Sequence, residues 1–159
     1  MSDRANETLT AEEYRNRHMS EEAIHKAVVD WADRQAQVEP ALQLLFHVPN
    51  GGSRHPAEAK KLRQLGVRQG LPDLLLPHAM PDANGGASWG LVLELKSPSG
   101  RLRDNQKWWL KRFREQGWAI GVAWSVDEAV HVIQRYFDSE HEPQDLDLSG
   151  AEPPRHVTD

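Results

Sequence analysis

The stretch GLVLELKSPSG, residues 90–100, constrains this chain more than any other. Side chains alternate along a strand. Leu91, Leu93 and Leu95 therefore share one face, and Gly90, Val92, Glu94 and Lys96 share the other. The leucine face demands burial, yet the opposite face sets a carboxylate beside an ammonium. A buried acid is costly unless something pairs with it. Three partners would serve: the Lys96 ammonium, water at an edge strand, or a divalent cation held jointly with a second acid. The second acid is at hand. Asp73 opens the run DLLL directly after Pro72, and the two carboxylates converge if strands 73–76 and 90–96 are neighbours.

Carboxylate oxygens suit Mg²⁺ or Mn²⁺, with water filling the remaining octahedral positions. Such an ion lowers the pKa of a bound water and stabilises charge building on a phosphate. Lys96, one pleat along from Glu94, points at the same place and is suited to orient the water or stabilise the transition state. Taken singly these signals are weak. Many edge strands carry an E-x-K pair for solubility, and an Asp after Pro is a common strand-start residue. A P-D at one strand start followed by E-x-K on the next strand is a far rarer coincidence.

The surrounding pattern alternates helix and strand. Ser20 is a good N-cap with two acids behind it, and Ile24, Ala27, Val28 and Trp31 fall at helical spacing, so a helix is expected over about 21–36. Strands are expected at 43–48, within 71–77, over 90–97 and over 118–124. Helices are expected over 56–66, opened by Pro56 and closed by Gly66, over 104–116 with Asp104 as cap, and after the S-x-x-E capping pattern of Ser125 and Glu128. Residues 80–88 read as a loop. With helix 56–66 taken as an insertion, an α-β-β-β-α-β core is recovered ahead of the last helix, and alternation of this kind predicts a three-layer α/β domain around a mixed sheet of about four strands. The expected division is a flexible arm over 1–19, the domain over 20–137, and an acidic, disordered tail over 138–159.

The formal net charge of the 159 residues is -5, which by itself argues against a nucleic-acid partner. The distribution argues otherwise. Between His47 and Trp118 twelve Lys/Arg face six Asp/Glu, while residues 138–159 hold seven acids against Arg155 alone. A charge run is most simply a solvated face. The asymmetry also permits a basic working surface, with the acidic tail as a mimic of DNA that restrains it. The chain has no cysteine, which excludes a disulfide scaffold and any Cys-based zinc site or nucleophile. The eight histidines lack zinc-site spacing. No apolar run approaches the roughly 20 residues of a membrane span, and the polar start is unlike a secretory signal, so a soluble, cytoplasmic protein is expected.

Pro72-Asp73 and Glu94-Leu95-Lys96 match the PD-(D/E)XK nuclease signature, and the match extends further. SEEAIHKAVVDWA, FHVPNGG, GVRQGLPDLLLP and LVLELKSPSGRLRDNQKWWLKRFREQGWAIGVAWSVDEAV resemble, in order and spacing, the VRR-NUC branch of that superfamily. The resemblance implies a restriction-endonuclease-like three-layer α-β-α core. It implies that Asp73 and Glu94 hold Mg²⁺, with Mn²⁺ able to substitute, that the Leu95 carbonyl completes the shell, and that Lys96 is the catalytic lysine. An acid on the first helix joins such sites. The pattern E-x-x-I-Q places Glu21 there, with Glu22 the adjacent alternative, and puts His25 where the family has Gln. Gln106 matches a Gln that supports the site or contacts the nucleic-acid backbone.

The resemblance also brings His47 and Asn50 into play as DNA-proximal residues, although an Asn in a turn usually bonds its own backbone. Arg68, Arg101, Arg103 and Lys107 are candidate phosphate contacts. The last three surround a helix start, where a cation opposes the helix dipole but a phosphate is favoured. Trp108 and Trp109 are adjacent, so one is expected to pack and the other to lie near the surface, available for base stacking or for a partner. The implied activity is that of an endonuclease on DNA, including branched DNA and Holliday junctions, acting as a homodimer in replication, repair or recombination. A non-catalytic nucleic-acid-binding module on the same fold, and a nuclease for flaps, single strands or RNA, are the alternatives.

Overall fold

The computed structural model describes residues 10, 17–49, 55–141 and 144–154. The elements in order are α1 (Glu21–Gln35), a 3-10 turn (Pro40–Leu44), β1 (Phe46–His47), α2 (Pro56–Gln64), β2 (Leu74–Leu76), β3 (Met80–Pro81), β4 (Ala87–Ser88), β5 (Leu91–Leu95), α3 (Asp104–Glu115), β6 (Ala119–Ala123) and α4 (Val126–Phe137). Four strands form one mixed sheet in the order β1-β2-β5-β6. The pairs β1–β2 and β2–β5 are antiparallel, and β5–β6 is parallel through the crossover helix α3.

The alternation along β5 divides the core into two. Leu91, Leu93 and Leu95 pack with Ile24, Val28 and Ala32 of α1 and with Ala129, Ile133 and Tyr136 of α4. Val92 faces the other way and packs with Leu110 of α3 and with Ile120 and Val122 of β6. Helices α1 and α4 thus cover one face and α3 the other, the three-layer arrangement the alternation predicts. The helix starts follow local chemistry. Ser20 Oγ accepts the Ala23 N–H at 3.1 Å, and Ser125 Oγ accepts the Glu128 N–H at 3.1 Å. Helix α2 buries no residue and lies outside the core.

Four expectations are corrected. The strand expected over 43–48 is only Phe46–His47, because Pro40 at a helical first position and Glu39, which accepts the Ala41 N–H at 3.3 Å, wind residues 40–44 into a 3-10 turn. The loop expected at 80–88 contains the two-residue pair β3–β4, closed by Asp82 Oδ1, which accepts the N–H groups of Asn84 and Gly86 at 2.8 Å each. The cap of α3 is Arg103 rather than Asp104. Residues 144–154, expected to be disordered, lie against the domain: Leu146 and Leu148 pack on the core beneath α3, and the Gln144 side chain bonds both backbone groups of Val122. The acidic composition of that segment hid its alternating leucines.

Gly90 sits where the sheet is tightest. A Cβ there would meet the Trp118 ring and stand 2.5 Å from the Leu76 carbonyl oxygen, which is backbone and cannot turn aside. Overpacking of this kind costs about 1–3 kcal/mol. Gly90→Ala is expected to lose at least that much in urea denaturation, whereas Gly66→Ala, with open space at its Cβ, should show only the cost of its positive φ.

Candidate active site

Asp73, Glu94, Lys96 and Gln106 are the four buried polar or charged residues set against the described core, and they stand together. Their convergence follows from strand register. Leu74 pairs with Leu93, so the residues just beyond, Asp73 and Glu94, leave the ladder side by side. Asp73 then fills the next rung with its side chain. Its Oδ2 accepts the Leu95 N–H at 2.8 Å, while its own carbonyl accepts the Val48 N–H at 3.0 Å. Pro72 has no N–H to offer the Leu95 carbonyl, so the backbone ladder between β2 and β5 ends here.

Helix α3 closes the site from above. The Gln106 side-chain oxygen accepts the Arg103 N–H at 2.9 Å and so caps the helix. That bond turns the amide nitrogen toward the sheet, where it donates to Glu94 Oε1 at 2.5 Å. The same oxygen receives the Lys96 ammonium at 2.6 Å. Glu94 Oε2 is buried and has no hydrogen-bond partner among the described residues. Burial, and then the Asp73 charge, outweigh the attraction of Lys96 and push the Glu94 carboxyl up to about 8. Water does not solvate this face, as an edge position would have allowed. Glu94 is 1% exposed, and its unpaired oxygen calls for a proton or a cation.

Helix α1 supplies the third acid. Glu21 reaches within 3.9 Å of the Lys96 Nζ and is half exposed, whereas Glu22 pairs with Lys26 on the solvent side. One turn on, the His25 ring meets His47 edge to face at 4.6 Å between centroids. His47 is fixed by a 2.8 Å bond between Nδ1 and the Asp73 carbonyl. Because a carbonyl only accepts, the proton sits on Nδ1, and in the neutral ring Nε2 is an acceptor. Partial burial, then the neighbouring His47, hold His25 below its ordinary pKa. Glu21, Glu22, His25, Lys26 and His47 line a cleft of about 340 Å³. In the sequence His25 was marked only by the E-x-x-I-Q pattern, which puts it where the family has Gln.

The expected phosphate contacts are scattered. Asn50 lies outside the described residues. Arg68 donates to the Arg63 carbonyl at 3.2 Å and finishes α2, a role in local structure. Arg101 and Arg103 are exposed at the entry to α3, and Lys107 is turned toward Asp104 and the Ser149 carbonyl. Both Trp108 and Trp109 are half-buried. Trp109 Nε1 donates to the Gln69 carbonyl at 2.9 Å, and Gly70 (φ 83°) lies so close to Asn105 that a Cβ would stand 2.8 Å from its side chain. Helix α3 therefore holds the loop that delivers Asp73 as well as the Gln that holds Glu94.

The donor set is all oxygen at its centre, the chemistry of a hard cation. Among the described residues no three His, Asp or Glu side chains are already arranged to grip an ion. Asp73, Glu94 Oε2 and the Leu95 carbonyl fit an ion that keeps several waters, the habit of Mg²⁺.

The VRR-NUC domain model matches residues 6–127 of the chain. A solved structure described as a VRR_NUC domain protein superposes with a TM-score of 0.63 at 23% identity, over 79% of this chain and 98% of that one, a likeness of fold. No curated protein matches. Among the described residues no helix is long and apolar enough to cross a membrane.

The raised Glu94 pKa has a consequence for metal-free protein. Between the ordinary carboxylate value of 4.5 and about 8, the folded state keeps a proton that the unfolded state has released. Stability therefore falls as pH rises through that window. Urea midpoints measured in EDTA from pH 5 to pH 8 should show this decline, and Glu94→Gln should flatten it. An identical decline in Glu94→Gln would place the titrating group elsewhere.

Proposed function

Because the chain belongs to the VRR-NUC domain family, we propose that it is a divalent-metal-dependent endonuclease hydrolysing phosphodiester bonds in DNA. The observation that carries this reading is the buried Glu94 carboxylate with one oxygen unpartnered, set beside Asp73 and Lys96. A purely structural ion pair at this depth gains nothing from an idle lone pair and costs stability for it. A site that receives a cation requires one. When bound, Mg²⁺, or Mn²⁺ in its place, would supply a water of lowered pKa and neutralise charge on the phosphate.

The residues of the chain divide the remaining work. Asp73, Glu94 and the Leu95 carbonyl are the proposed holders of the ion, with Glu21 joining through water. Gln106 keeps Glu94 in place and so acts as a positioning residue. Lys96, 4% exposed, is held at the mouth between Glu94 and Glu21, where its ammonium can orient the attacking water and stabilise charge on the phosphate oxygens. Water oxygen bonds to phosphorus, one P–O ester bond breaks, and the leaving alkoxide takes up a proton. His47, which bonds the Asp73 carbonyl, and Arg101 and Arg103 at the entry to α3 are the proposed backbone contacts, together with Asn50, Arg68 and Lys107.

Branched DNA, four-way junctions included, is the substrate class placed first. It rests on the family resemblance, and homodimerisation goes with it, since paired symmetric cuts need two sites related by a two-fold axis. A cytoplasmic location belongs to the same reading.

The test is cleavage of labelled four-way junction, flap, duplex and single-stranded DNA with Mg²⁺, with Mn²⁺ and with EDTA. Cutting should require the metal and fall about 100-fold or more in Lys96→Met, a loss typical of removing a group that stabilises transition-state charge. DNA binding in Ca²⁺ should persist in that variant. Binding without cutting of any substrate, in any metal, would assign the chain to the non-catalytic module instead.

A further inference from the structure

The C-terminal segment of the described structure is a strap laid along an exposed sheet edge. β6 ends the main sheet, and its outer backbone groups would be open to any strand. Gln144 answers them with a side chain. Its Oε1 accepts the Val122 N–H at 2.7 Å, and its Nε2 donates to the Val122 carbonyl at 3.1 Å, two bonds of the kind a neighbouring strand would make. The chain then runs Asp145-Leu146-Asp147-Leu148 in strand-like alternation. The leucines turn inward onto the core beneath α3, and the two acids turn outward and are exposed.

The end of the strap reaches the first turn of α3. The Ser149 carbonyl accepts the Lys107 ammonium at 3.0 Å, and the Glu152 N–H donates to the Asp104 carbonyl at 3.3 Å. Asp147 is held below the usual carboxylate range by its bonds to Ser149, with a further contribution from the Lys107 charge. This is the turn that carries Gln106 on its inner side. The strap carries Asp145, Asp147 and Glu152, with no basic residue among 144–154, and its end lies on the first turn of α3, which Arg101 and Arg103 precede in the chain.

We propose that residues 144–154 are an autoinhibitory strap, a tethered polyanion that occupies Lys107 and screens the basic entry to α3 from the DNA backbone. The inference rests on the reading of this chain as a DNA-binding protein and adds a regulation to it. Docking is divided along the strap. Gln144, Leu146 and Leu148 hold its first half to the sheet, and the second half is held by two hydrogen bonds to α3, with Gly150 (φ 68°) between them, and by the buried Pro154. The second half can lift while the first stays, so a polyanion competes only for the weaker end. Lifting frees one cation and removes nearby negative charge, two effects that salt weakens together.

The experiment uses the full chain and the triple variant Asp145→Asn/Asp147→Asn/Glu152→Gln, which keeps Gln144, Leu146 and Leu148 and is checked for an unchanged thermal midpoint. Binding of a labelled four-way junction and a labelled duplex is followed by fluorescence anisotropy in Ca²⁺ across a salt series. The triple variant should bind at least about threefold tighter at low salt, with a log–log salt slope steeper by about 0.9, the increment of one added phosphate contact. Lys107→Ala should cost the triple variant more affinity than it costs the parent chain, in which the strap already holds Lys107. Hydrogen exchange at the Glu152 amide should accelerate when DNA is added to the parent chain. Equal affinity and equal slope in parent and variant would overturn the strap while leaving DNA binding intact. Failure of both proteins to bind DNA at any salt would overturn the DNA-binding reading and the strap with it.

Discussion

The Glu94 carboxylate is the constraint on which this molecule turns. It lies under a helix in a closed layer, and burying an acid is among the costlier acts available to a small domain. Everything next to it reduces that cost without removing it. Lys96 and Gln106 share one of its oxygens, and the other has no hydrogen-bond partner among the described residues. Gln106 can do this because its own oxygen is committed to capping α3, which settles the orientation of its amide. A cap that ordinarily contributes about 1 kcal/mol to a helix here also aims the side chain that fixes the acid.

Helix α3 links the parts. Its inner face completes one half of the core through Leu110, its first turn holds Glu94, its flank grips the loop before Asp73, and its outer edge meets the strap. The site is therefore assembled from separate stretches of the chain, and α3 ties two of them, the loop before Asp73 and Glu94, to one another. The two edges of the sheet are treated differently. β6 is covered by the side chain of Gln144 and the strap, whereas β1 is two residues long and gains its place by pairing with β2 beside Asp73. A very short edge strand offers little template for unwanted pairing.

Much of this was legible in the residues. The alternation in β5 assigned its leucines to one face and Glu94 to the other, and the structure keeps that division. P-D followed by E-x-K announced two converging carboxylates, and the register of Leu74 with Leu93 brings them together. Ser20 and Ser125 cap as their chemistry prescribes. Where the structure differs, either a distant partner or a neighbouring capping residue outweighs the local composition. Residues 144–154 are acidic and contain proline, so they read as disordered, yet two leucines at strand spacing found a core built by β5, α3 and β6. The run 41–49 is apolar, so it read as a strand, yet Pro40 and Glu39 wind its first half into a turn.

By itself the sequence determined the layered α/β class, the positions of the helices, and the identity of the acids and the lysine, because periodicity, capping and the cost of a buried charge are properties of a few neighbouring residues. Only the tertiary structure decided which of Glu21 and Glu22 faces Lys96, that His25 and His47 meet, that one Glu94 oxygen has no partner among the described residues, and that Ser149 of the acidic strap lies on Lys107. These rest on contacts between residues up to 75 positions apart, Glu21 with Lys96, and on a choice between adjacent side chains on a helix. Such contacts are set by how the elements pack, and no local pattern carries that information.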